Sequence, residues 1–284
     1  MAGTAVTLRT LGEFRVAVGG VELVPPPTQK ARALTAYLAM NRFRDVARER
    51  LMEAFWPGSE PCRARDSLNT AIHSVRRCFR DAGLAPGGFI DATRSVVRWS
   101  ADADVDAESL TGLGDAPSAP AIERALAAYV GEFLEGCYDE WTVAQRERIA
   151  DAHERALVAA VVDLRDVAAA RALVALDPYA EPAYRLLFDA EIAAGRPLAA
   201  RSIALRCARQ LAELGLHVSA SFEAAAGALL SGRASSGSAS RSPSPRDRAP
   251  LRRQPCAAAW RRRATQSTGT AGGTAWAAAS RAAR

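Results

Sequence analysis

Residues 48–83 read RERLMEAFWPGSEPCRARDSLNTAIHSVRRCFRDAG: a short amphipathic helix, a Pro57-Gly58 break, then a longer helix whose free face is basic. At about 100° per residue, Leu68, Ile72, Val75 and Phe79 fall on one narrow stripe, the side to be buried. Asp66, Thr70, His73 and Arg77 project opposite it, flanked by Arg63, Asn69, Arg76 and Arg80. Guanidinium forks and short polar groups suit base edges and phosphates, so this open face fits a major groove. The helix ends are also marked. Ser59 is placed to cap, Glu60 and Pro61 suit the first turn, Arg76, Arg77 and Arg80 oppose the dipole in the last, and Gly83 is the stop. A merely solvated arginine-rich helix would look the same, so the flanking elements decide.

Upstream, Arg48 to Trp56 is a short apolar helix, and Gln29 to Met40 is another, started by Thr28 and ended near Asn41. Downstream, Phe89-Ile90 and Val96 to Trp99 read as a hairpin joined through Asp91 to Ser95, with Arg94 near its tip. Val6 to Leu11, Glu13 to Val18 and Val21 to Val24 precede the helices as three brief strands, with Gly12 and Gly19-Gly20 as turns. A small sheet, three helices and a hairpin wing make a winged helix-turn-helix.

LRTLGEFRV near the start, QKARALTAYLAMN and RERLMEAFWPGSEPCRARDSLNTAIHSVRR together resemble the winged-helix domain of actinobacterial antibiotic-regulatory activators, related to the DNA-binding half of OmpR-type response regulators. AAYVGEFLEGCYDEWTVAQRERI resembles the opening of the bacterial transcriptional activator domain that follows in that family, and the two matches span residues 5 to about 220. The resemblance makes the helix from Glu60 to Arg80 the recognition helix. Its expected DNA contacts are Arg65, Asn69, Thr70, His73, Arg76 and Arg77, with Arg94 from the wing. Ala47 departs from the family pattern, which has a Ser or Thr cap there; Asp45 is the substitute cap, or the helix frays. The resemblance also implies a mechanism: protomers docked head to tail on tandem direct repeats of double-stranded DNA near a promoter, self-associating there and contacting RNA polymerase.

The remainder is helical by its own pattern. Ile122 to Leu134 and Val143 to Leu164 carry apolar residues at helical spacing. Then come helix, Asp177-Pro178 turn, helix, Gly195-Arg196-Pro197 turn and helix, with small Ala residues at close-contact positions, which is tetratricopeptide-like. Between Ala156 and Arg171 no Gly marks a turn, so the first repeat reads as incomplete. The expected fold is mainly α with a small β component. It divides into a winged helix over residues 1–105, a tetratricopeptide-like helical domain over 106–231, and an Arg, Ser, Ala and Pro-rich tail over 232–284.

Charge follows the same division. Residues 1–100 hold 15 Lys plus Arg against 9 acids, residues 101–231 hold 11 against 21, and residues 232–284 hold 11 Arg against one Asp. A basic first domain attracts phosphate, while an acidic second one is left free for protein contacts. The tail lacks branched apolar residues and periodicity, and is expected to be disordered. Two readings of it stay open: added non-specific DNA affinity through Arg261 to Arg263, or sequence without an evolved task.

Five scattered cysteines without CxxC spacing suggest neither a disulfide framework nor a metal site, and no cofactor is expected. With no basic-then-apolar leader at the start and no apolar run near the ~20 residues needed to span a bilayer, the expected compartment is the cytoplasm, away from the membrane. An enzyme is disfavoured. His73, His153 and His217 lie on separate elements, and GxSxG, HExxH and GxxxxGK[ST] are absent. Glu147, Asp151 and Glu154 share a helix face, but the interleaved Arg146, Arg148 and Arg155 point to solvated pairing rather than catalysis. Neither an NTPase domain nor a receiver domain is recognisable. The alternative to a DNA-binding regulator is a protein-interaction scaffold whose winged helix no longer binds DNA.

Overall fold

The computed structural model describes residues 6–230 of the chain. Its first half comprises β1 (Val6–Arg9), β2 (Arg15–Val18), β3 (Val21–Leu23), α1 (Gln29–Met40), β4 (Val46–Ala47), α2 (Arg48–Phe55), α3 (Pro61–Asp81), β5 (Ile90–Ala92), β6 (Val96–Trp99) and β7 (Ala103–Val105). Helices follow: α4 (Asp106–Thr111), α5 (Ala119–Ala128), α6 (Glu140–Ala159), α7 (Val167–Leu176), α8 (Glu181–Ala193), α9 (Pro197–Glu213) and α10 (Ala220–Leu230). This is the mainly helical, winged helix-turn-helix and helical-repeat architecture that the sequence predicts. The tail over 232–284 lies outside the described residues.

The strands form two sheets. One has the order β3-β2-β1-β7, with β1 antiparallel to β2 and parallel to β7; the other, β4-β6-β5, is the wing. Neither β4 nor β7 is readable in the sequence, because two or three residues carry no periodicity and take their conformation from a distant partner. Pairing of Asp91 with Arg98 carries the first wing strand on to Ala92, so the connecting turn is shorter than expected.

Helix α3 buries Leu68, Ile72, Val75 and Phe79, the predicted stripe, together with Ala64, Ala71 and Cys78. Phe79 stacks on Phe89 at 4.3 Å between ring centroids and meets Trp99 edge-on, which ties the helix to the wing. At its C-terminus, Leu84 N–H donates to Phe79 O and Gly83 N–H to Arg80 O, both at 2.9 Å. Gly83 sits at φ +75°, a conformation that glycine adopts without strain. Its N-terminus corrects the expectation: Glu60, not Ser59, occupies the cap position, and no side chain caps it. Pro61, lacking an N–H, removes one of the donors a cap would serve. Helix α2 likewise has no side-chain cap, with Ala47 at its cap position. Asp45 does not substitute, because its carboxylate faces Arg98 at 3.7 Å.

The predicted helix from Ile122 to Leu134 ends early, at Ala128. The following segment docks on the first sheet: Gly12 N–H donates to Glu132 O at 2.9 Å and Leu134 N–H to Thr10 O at 2.8 Å. The backbones approach so closely that a Cβ on Gly131 would lie 2.8 Å from Gly12 Cα. Arg146 then fastens the segment, donating to the carbonyls of Phe133, Leu134 and Cys137 at 2.6 to 2.9 Å, with Glu132 at 3.1 Å. Its partners are therefore carbonyls and Glu132 rather than an i to i+4 carboxylate on its own helix. Further on, the turn without glycine is made by a π-helical stretch over Ala160–Leu164 and by Arg165 in the left-handed region at φ +56°. Asp166 caps α7, accepting from Ala168 N at 2.8 Å.

Two apolar clusters result. The first joins both sheets and α1 to α3 to Leu110, Phe133, Ile149 and Ala152, so it runs on into the helical part. Trp141 reinforces this junction, meeting Tyr37, Phe55 and Phe133 at 5.1 to 6.0 Å between ring centroids. The second cluster packs α7 to α10 around Leu173, Tyr184, Phe188, Cys207 and Phe222. Among the described residues no helix is long and apolar enough to cross a membrane.

Candidate nucleic-acid interface

Residues 65, 69, 73, 76 and 80 follow helical spacing along one face of α3, and the turn between β5 and β6 stands opposite them. Together they enclose an open groove of about 1000 Å³ lined by Arg48, Arg65, Asn69, Ile72, His73, Arg76, Arg80, Ala92, Thr93 and Arg94. None of the lining residues is acidic. Five arginines around one groove form a focused positive potential, and their donors match phosphate oxygens and guanine edges.

Of the sequence-predicted residues, Arg65, Asn69, His73, Arg76 and Arg94 line the groove. Arg76 is half-buried, and its Nη2 lies 3.4 Å from Ile90 O at the base of the wing. Thr70 and Arg77 lie off the groove. The Thr70 hydroxyl donates to Asp66 O at 2.9 Å, and Arg77 Nε pairs with Asp81 at 3.2 Å, both exposed on the neighbouring face of α3. Arg80, a flanking residue in the sequence pattern, belongs to the groove.

No protein-family model matches this chain. Over 80 residues it is 39% identical to the transcriptional regulatory protein MoaR1 of Mycobacterium tuberculosis and of Mycobacterium bovis, covering 28% of this chain and 25% of the relative. Over 91 residues it is 33% identical to the transcriptional regulatory protein EmbR of Mycobacterium tuberculosis, covering 30% of this chain and 23% of the relative. A segment of this chain is thus similar to part of two mycobacterial transcriptional regulatory proteins. A solved structure of EmbR from Mycobacterium tuberculosis, in complex with a low-affinity phosphopeptide, aligns with a TM-score of 0.53 at 22% identity, over 82% of this chain and 66% of that one. That likeness concerns the fold: a winged helix-turn-helix followed by helices. The sequence matches span about a quarter of the length of these curated relatives, which are named as transcriptional regulatory proteins.

Within this winged-helix fold, Arg48 is the groove residue that sequence reasoning missed. It opens α2 yet is 8% exposed. Its Nη1 donates to Thr93 O at 3.2 Å and its Nη2 to Asn69 Oδ1. Burial, together with the nearby cations Arg65 and Arg76, pushes its guanidinium below the usual arginine range, against the opposing pull of Glu49. An anion entering the groove would relieve that repulsion. Charge spacing alone does not expose this role, because Arg48 is recognisable only once the wing turn, 45 residues on, is folded beside it.

Proposed function

We propose that this chain is a sequence-specific DNA-binding transcriptional regulator, an activator that docks α3 into the major groove at direct repeats near promoters and contacts RNA polymerase. The observation that carries the reading is the acid-free arginine groove between the exposed face of α3 and the wing turn. Arg65, Asn69, His73, Arg76 and Arg80 then approach base edges and phosphates from the helix, and Arg94 approaches from the wing. Thr70 and Arg77 remain proposed contacts from the neighbouring face of the same helix. The names of the mycobacterial homologues support transcription regulation as the setting.

The functional division proposed is residues 1–105 for DNA and 106–231 for protein contacts. Its support is charge: the second segment carries 21 acids against 11 basic residues and is repelled by phosphate. Direct repeats require head-to-tail protomers, so self-association on DNA completes the mechanism.

The test is selection and sequencing of genomic fragments bound by the full chain, beside an Arg76→Ala/Arg77→Ala variant at the same salt concentration. Enrichment of spaced direct repeats by the unaltered chain alone is expected. Equal enrichment by both proteins would remove α3 from the interface. An absence of enrichment in both would favour the scaffold alternative.

A further inference from the structure

The contacts of Arg48 leave its own helix. Its backbone N–H donates to Ser95 O at 2.9 Å, Nη1 reaches Thr93 O in the same wing turn, and Nη2 reaches the side-chain oxygen of Asn69 on α3. One buried guanidinium thus spans the wing and the exposed face of α3. The chemistry of the pair fixes the asparagine. A guanidinium has five N–H donors and no acceptor, so the amide atom facing it is the oxygen; the amide nitrogen would set donor against donor. With Oδ1 held by a cation, Asn69, exposed on the groove, offers the two N–H donors of Nδ2.

This changes what Asn69 reads. An asparagine with a free amide recognises adenine at two points, accepting from N6 and donating to N7. Here the accepting half is engaged before DNA arrives. Guanine presents two acceptors, N7 and O6, and no donor on its own major-groove edge. We propose, resting on the DNA-binding reading above, that Arg48 is a positioning residue which makes Asn69 a donor-only reader, selecting guanine over adenine at one position of the site. Arg48 itself need not touch DNA for this: one N–H of Nη1 goes to Thr93 O and one of Nη2 to Asn69 Oδ1, and the effect passes through Asn69.

The test uses the full chain, Arg48→Lys, Asn69→Ala and the double variant, each selected on a random duplex library at fixed salt with melting temperatures alongside. Lysine keeps the charge but lacks the fork that reaches both partners. Asn69→Ala is expected to erase a guanine preference at one position. Replacing that guanine by 7-deazaguanine is expected to weaken the unaltered chain roughly tenfold and Asn69→Ala not at all. Arg48→Lys is expected to reduce the guanine-over-adenine ratio there by roughly tenfold, with no such change in the Asn69→Ala background. A purely structural role for Arg48 would lower the melting temperature and affinity without altering that ratio.

The proposal is overturned by an Asn69-dependent preference for adenine or thymine, by the absence of any Asn69-dependent base position, or by an unchanged ratio in Arg48→Lys. Asn69 occupies an exposed helical position, so the deazaguanine arm stands even where Arg48→Lys fails to fold. If the unaltered chain enriches no sequence at all, the DNA-binding reading falls and this inference falls with it. Each of the other results overturns the inference alone.

Discussion

The buried carboxylate of Asp106 accepts from both the backbone N–H and the hydroxyl of Thr10, at 2.8 and 2.6 Å, across 96 residues of chain. Leu11 N–H and Ala107 N–H also donate to it, at 3.1 and 2.9 Å. A buried charge is tolerated when it is this fully hydrogen-bonded, and the donors are equally dependent on it. Asp106→Ala is expected to destabilise the chain by about 3 kcal/mol, because the donors at the end of β1 lose their acceptor. A fragment ending at residue 105 loses the same acceptor and is expected to unfold at lower denaturant than the full chain. Equal denaturation midpoints for Asp106→Ala and the unaltered chain would contradict the structural role of this carboxylate.

Arg76 and Arg77 are adjacent in sequence but differ in position: the first lines the groove, and the second pairs with Asp81 outside it. Arg76→Ala is expected to weaken DNA binding by about 1 to 3 kcal/mol if it contacts a base, or to reduce the salt slope by about one if it contacts phosphate. Arg77→Ala is expected to do less, and its exposed ion pair contributes little to stability. Titration of both variants over a salt series checks the order. A larger loss from Arg77→Ala would place the DNA on the neighbouring face of α3, towards Thr70.

Where local periodicity determined structure, the sequence was sufficient. The stripe from Leu68 to Phe79 and the Pro61 and Gly83 signals located α3 to within one residue at each end. The sequence failed where a distant partner overrides local preference. Helical spacing persists after Ala128, yet Phe133 and Leu134 are drawn into the first core and Arg146 holds their carbonyls, so the helix stops. Arg165 takes a left-handed turn that composition assigns to glycine. The groove shows the same split: spacing along one helix identified Asn69, His73 and Arg76, whereas Arg48 required folding of the wing.

Thiol reactivity provides a check on α3 and the second core. Cys78 is pushed up to about 11 by burial and by Asp81, and Cys207 to about 12 by burial and by Glu181. Burial also raises Cys137. Cys62 is exposed in the first turn of α3. Because the thiolate is the nucleophile, Cys78 and Cys207 are expected to alkylate on the order of a hundredfold or more slower than Cys62 near pH 8. Peptide mapping by mass spectrometry over a time course reads each site separately. Alkylation of Cys78 as fast as Cys62 would contradict burial of the α3 stripe.

His153 on α6 stacks on Tyr129 at the end of α5, with ring centroids 3.8 Å apart and planes at 11°. Burial lowers its pKa below the ordinary 6.5. The unfolded chain therefore binds a proton at higher pH than the folded one does. Between the folded value and about 6.5 the unfolded state carries more protons, so stability falls as pH decreases through this window and is fully present above it. His153→Phe keeps a flat ring against Tyr129 without the titration. Urea midpoints measured from about pH 8 to about pH 5 are expected to fall further for the unaltered chain than for His153→Phe. The carboxylates common to both proteins cancel in the difference. Parallel curves would mean that His153 titrates alike in the folded and unfolded states, and that the stack does not exclude the charged ring.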